Sequence, residues 1–145
     1  MRQQQRKTIE VPSDLASVAR VQEVIIRDVE SYGYSQDAEF AVRLALDEAL
    51  ANAIHHGNGS DRTKKVTVEY RVTAEQVEVM VCDEGTGFNP DLVPDPTLPE
   101  NLAKPSGRGI MLMRAYMSSV RFNERGNCVT LTVGRDRSRA VRSTA

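Results

Sequence analysis

Two runs of strict alternation, Val66-Val68-Tyr70-Val72 and Val77-Val79-Val81, constrain this chain more than any other feature. Successive side chains of a strand point to opposite faces, so each run gathers its large apolar groups on one side. The short polar segment Thr73 to Gln76 separates the runs, which makes them an antiparallel hairpin with one face to bury. Apolar residues at helical spacing supply the cover. Val18, Val21, Ile25 and Val29 recur at steps of three and four, and Val42, Leu46, Ala49 and Ala53 form a second such stripe.

The remaining elements follow from local signals. Thr8 to Val11 alternates and stops at Pro12, giving a first strand, and Ser13 is placed to cap the first helix with Asp14 in its opening turn. Gly33 ends that helix. Ser35 caps the next, where Asp37 and Glu39 suit the N-terminal dipole, and Gly57 stops it. Phe88 to Ser106 holds Pro90, Pro94, Pro96, Pro99 and Pro105 without periodicity, and a loop of that length in a compact domain is read as a lid, about residues 89–106. A third helix is expected near Gly109. Val120 to Asn123 and Cys128 to Val133 form a second hairpin through Glu124-Arg125-Gly126-Asn127. Strand, helix, helix, hairpin, lid, helix and hairpin make an α+β two-layer sandwich, with a mixed, mostly antiparallel sheet covered on one face by helices. Residues 1–134 are expected to form one domain, and 135–145, with four arginines and little apolar content, a flexible basic tail.

The net charge of −1 gives no overall attraction to nucleic acid or anionic lipid. No apolar run approaches the roughly 20 residues that span a bilayer, and Met1 to Lys7 lacks the apolar stretch of a signal peptide, so a cytoplasmic location is expected. Cys82 and Cys128, each inside a strand-like run, are read as buried free thiols rather than a disulfide. Met111, Met113 and Met117 are read as core filler, and His55 and His56 as dipole partners at a helix C-terminus.

Three motifs carry chemistry. Within Asp47 to Gly57, apolar or small around most of its circumference, Glu48 and Asn52 stack on one face four residues apart. A carboxylate pressed toward an interior is costly unless paired, hydrated or coordinating. An amide oxygen suits Mg²⁺, and a carboxylate one turn away can accept a proton from an attacking hydroxyl. Next, Asp83-Glu84-Gly85-Thr86-Gly87 follows an apolar strand; an acceptor at Asp83 would bind the exocyclic amine of adenine, and Gly85 and Gly87 permit positive φ and close approach of a base. Last, Gly107-Arg108-Gly109 opens a helix, where exposed amides make a phosphate site and Arg108 adds charge. Taken singly, each has an ordinary structural reading: a polar packing edge, a glycine turn after a strand, a solvent-facing arginine.

In this order and spacing the motifs resemble the N, G1 and G2 boxes of the GHKL superfamily of ATPases and kinases. The stretches EALANAIHHGN, DEGTGF and GRGIMLM are similar to those of the anti-sigma-factor serine/threonine kinases. That resemblance implies a Bergerat-type ATP-binding fold using ATP and Mg²⁺. Asn52 would be the metal ligand, Asp83 the adenine reader, Gly85 and Gly87 the floor of the base pocket, Gly107, Arg108 and Gly109 the phosphate contacts, and Glu48 the catalytic base. It also implies, as partners, a serine of an anti-anti-sigma (STAS-type) protein and a sigma factor, with a homodimer possible and no direct nucleic acid or membrane contact. Gly126-Asn127 stands where many members have Gly-Thr near adenine. The alternatives are an ATP-binding partner-switching module without kinase activity and a detached catalytic domain of a two-component sensor.

Overall fold

A computed structural model describes residues 6–85 and 107–135. The strands β1 (Lys7–Pro12), β2 (Lys65–Val72), β3 (Gln76–Cys82), β4 (Ser119–Phe122) and β5 (Cys128–Gly134) form one sheet in the order β1-β2-β3-β5-β4. Every pairing in it is antiparallel. Helices α1 (Ala16–Ser31), α2 (Gln36–Ala51) and α3 (Gly107–Tyr116) supply the second layer.

The alternation does the work expected of it. Val66, Val68, Tyr70 and Val72 on β2 and Val77, Val79 and Val81 on β3 are all buried, joined by Val129, Leu131 and Val133 on β5. Each such side chain contributes about 1.5–3 kcal/mol when fully buried. Helix α2 contacts both α1 and α3 and so lies central in its layer, which is why it reads as apolar around most of its circumference. Ser35 caps it by accepting the Ala38 N–H at 3.1 Å. Gly33, at φ +72°, adopts the left-handed conformation that ends α1 without a Cβ penalty.

Local readings that differ have identifiable reasons. At the start of α1 Asp14 Oδ1 accepts the Ser17 N–H at 3.1 Å, while the hydroxyl of Ser13, the expected cap, donates to the Lys64 carbonyl. Met113 and Met117 are buried as expected, but Met111 is 56% exposed, since it points off the face of α3 that meets the core. Arg135, read as the start of the tail, is anchored: its guanidinium donates to the carbonyls of Ala74, Tyr32 and Gly33 and lies 4.6 Å from the Tyr34 ring. The tail beyond it, 136–145, and the lid, 89–106, lie outside the described residues.

The cysteine reading is corrected outright. Cys82 and Cys128 are half-buried, face each other across β3 and β5, and form a disulfide. The adjoining pair is closed by the Asp83 N–H donating to the Asn127 carbonyl. Cys82 and Cys128 therefore occupy a non-hydrogen-bonded position, where facing side chains come closest; their Cα atoms are 4.1 Å apart. Sequence alone does not reveal this, because it requires β5 to lie against β3. The bridge spans 46 residues of chain. Reduction is expected to lower unfolding free energy by about 2–4 kcal/mol, measured as the shift in denaturant midpoint with and without reductant. Recovery of two free thiols from unreduced, unfolded protein would contradict the bridge.

Candidate functional site

The site is built where α2 stops being an α-helix. From Asn52 to Gly57 the chain winds as a π-helical turn, with the Asn58 N–H reaching the Ala53 carbonyl at 2.9 Å. Single π turns within helices recur at functional positions because the wider winding re-aims the side chains and backbone that follow. Here it drives Gly57 against the end of β3.

That contact leaves no room for a Cβ on either glycine unless a neighbour shifts. A Cβ on Gly57 would fall 2.2 Å from Asp83 Cγ, and one on Gly85 would fall 2.0 Å from the Gly57 carbonyl oxygen. Gly85 does not use positive φ, which among the described glycines belongs to Gly33, Gly59 and Gly126. Its lack of a side chain serves instead to admit the Gly57 carbonyl. Asp83 is held between the two glycines, with Oδ1 accepting the Gly85 N–H at 2.8 Å. Burial raises the Asp83 pKa; the Gly85 N–H and the positive charges of Arg125 and Lys64 pull it back. Among the described residues no hydrogen bond reaches Oδ2, which leaves that oxygen as the acceptor for a donor such as an exocyclic amine.

The Asp83–Glu84 peptide is gripped from both ends. Asn127 Nδ2 donates to its carbonyl at 3.3 Å, and its N–H donates to Asn58 Oδ1 at 2.7 Å. The family resemblance picks out Asn127, which stands where many members have threonine; nothing in the sequence picks out Asn58. A polar residue just after a helix-ending glycine reads as an ordinary turn residue, and periodicity does not show that it is 3% exposed.

The remaining sequence candidates fall as follows. Glu48 lies half-buried on α2, one turn before Asn52, and its pKa is raised by burial and then by the neighbouring Asp47 charge. Asn52, also half-buried, begins the π turn. Gly107, Arg108 and Gly109 form the start of α3, which packs on α2; the Arg108 side chain and Gly87 lie outside what is described. His55 and His56 end the π turn; His55 Nδ1 meets Ser60 Oγ at 2.9 Å, and burial, then the His55 charge, lowers the His56 pKa. Among the described residues no three His, Cys, Asp or Glu side chains are placed to share a metal. A divalent ion here would take one amide oxygen from the chain and the rest from phosphate and water, which is how Mg²⁺ is commonly held.

The sequence pattern of the histidine kinase-like ATPase domain family matches residues 11–133. A similar relative is the serine-protein kinase RsbW of Bacillus subtilis, 32% identical over 107 residues, covering 69% of this chain and 67% of that protein. The serine/threonine-protein kinase BtrW of Bordetella bronchiseptica is 30% identical over 103 residues, covering 68% and 72%. A crystal structure of the RsbU and RsbW domains of a Mycobacterium tuberculosis protein superposes with a TM-score of 0.61 at 16% identity, covering 90% of this chain and 32% of that one. At that identity the likeness establishes the fold.

Proposed function

This chain belongs to the histidine kinase-like ATPase domain family, and from that membership we propose that it is a Mg²⁺- and ATP-dependent protein serine kinase acting as an anti-sigma regulatory factor. Its phosphate acceptor is a serine of a STAS-type anti-anti-sigma protein, and its regulatory target is a sigma factor. The observation that carries the reading is the Asp83 carboxylate locked between Gly85 and Gly57, the last residue of the π turn that continues from α2 through Asn52. The curated relatives named as serine kinases support it over two thirds of the chain.

The roles follow from the chemistry of each group. Asp83 Oδ2 accepts the 6-amino group of adenine, a donor guanine lacks at that position. The amides at the start of α3, Gly107 to Gly109, meet the phosphates with the positive end of a helix dipole, aided by Arg108. The Asn52 amide is a ligand for Mg²⁺, which when bound supplies charge neutralisation on the phosphates. Glu48 takes the proton of the serine hydroxyl as that oxygen attacks. Gly87, with Gly85, floors the base pocket, residues 89–106 serve as a lid over the phosphates, and a second copy of the chain is the candidate dimer partner.

The test is phosphoryl transfer. With γ-labelled ATP and a STAS-type antagonist, label is expected on one serine of the antagonist and only with Mg²⁺ present. Nucleotide binding and partner binding without transfer would leave a partner-switching module instead.

A further inference from the structure

Beyond Cys82 the ladder between β2 and β3 ends: Thr67 and Cys82 are the last paired residues, and β3 bends away toward Gly57. Lys65 on β2 is thereby left with an N–H and a carbonyl facing the gap. The Glu84 carboxylate accepts the first, and Asn58 Nδ2 donates to the second at 3.0 Å. The other Asn58 Nδ2 hydrogen goes to Ser13 Oγ at 2.8 Å, and Ser13 in turn donates to the Lys64 carbonyl. Since Ser13 spends its only proton on that carbonyl, it must accept from Asn58. The orientation of the amide follows: nitrogen toward Ser13 and Lys65, oxygen toward Glu84.

Both N–H hydrogens of this buried side chain are thus committed, and its oxygen, accepting at 2.7 Å, fixes the peptide that carries Asp83. We propose that Asn58 is a positioning residue for adenine recognition, setting the direction of the Asp83 carboxylate by clamping the Asp83–Glu84 peptide opposite Asn127. This deepens the proposed function and rests on Asp83 reading adenine. Asp83 has only two side-chain torsions, so a turn of this peptide translates directly into a misdirected carboxylate. The Gly85 N–H moves with the same peptide segment and cannot correct it.

The test uses a nucleotide pair that differs at one atom. Inosine triphosphate presents a carbonyl where ATP presents the amine Asp83 accepts. Wild-type protein is expected to prefer ATP by tenfold or more, the range of a hydrogen bond to a charged group. In Asn58→Ala, ATP affinity should fall about tenfold while inosine triphosphate affinity changes less than twofold, so the preference collapses. A merely structural role predicts that both affinities fall together. If wild type discriminates and Asn58→Ala discriminates equally, the positioning role is wrong and the adenine reading stands. If wild type does not discriminate, the role of Asp83 fails and this inference with it. On the unmutated protein the Glu84 amide should exchange its hydrogen slowly without nucleotide. Exchange at the unprotected rate would overturn the clamp even if the variant does not fold.

Discussion

Gly85→Ala is expected to abolish measurable ATP binding while leaving a folded protein weakened by about 1–3 kcal/mol, the usual range for overpacking. The new Cβ would sit 2.0 Å from the Gly57 carbonyl oxygen, 2.7 Å from its carbon and 3.0 Å from Asp83 Oδ1. The nearest obstacles are backbone, so no rotamer change relieves them. The end of β3 must move off the π turn, and the Gly85 N–H that holds Asp83 Oδ1 moves with it. Gly57→Ala provides the contrast. The three atoms nearest its Cβ all belong to the Asp83 carboxylate, at 2.2 to 2.6 Å, so the severest overlap is relieved by swinging that side chain aside. Gly57→Ala should therefore keep more of its stability and lose chiefly the preference for adenine. Calorimetric titration with ATP and a denaturant curve on each variant measure both quantities. Wild-type ATP affinity in Gly85→Ala would mean the nucleotide does not depend on this contact.

What could be read from the sequence was what depends on short-range periodicity and caps. The runs at 66–72 and 77–81 are β2 and β3, the Ser35 hydroxyl meets the Ala38 N–H, and Gly33 ends α1 in the left-handed conformation. The order and spacing of Glu48 and Asn52, Asp83-x-Gly85-x-Gly87 and Gly107-x-Gly109 point to one family, and its pattern matches residues 11–133. Tertiary features were not legible. That β5 enters beside β3 is a choice of partner, made by burial of the whole sheet face, and the Cys82–Cys128 disulfide exists only because of it. The π turn spans Asn52 to Gly57, too short for its wider periodicity to differ in sequence from an α-helix ending at glycine. Asn58 belongs to the same class. Its importance comes from three chain segments meeting at its amide, not from any pattern around it.

Glu48→Gln should bind Mg²⁺ and ATP as the wild type does and transfer phosphate to its protein substrate about 10²–10⁴-fold more slowly, the usual contribution of a general base. Gln keeps the shape of the side chain and its hydrogen-bonding oxygen but cannot take the serine proton. Because burial and the Asp47 charge raise the Glu48 pKa, the wild-type rate should climb with pH through a midpoint above the ordinary carboxylate value, and the variant should lack that acid limb. Stability has the opposite sign. Folded Glu48 holds its proton more tightly than the unfolded chain does, so its contribution is most favourable below the ordinary carboxylate pKa and is lost as pH rises through the raised one. Glu48→Gln removes that loss. At neutral pH the variant should be the more stable protein, with the difference vanishing in acid. An inactive variant that is also more stable at pH 7 separates lost catalysis from lost folding, and full phosphorylation by Glu48→Gln would remove Glu48 from the mechanism.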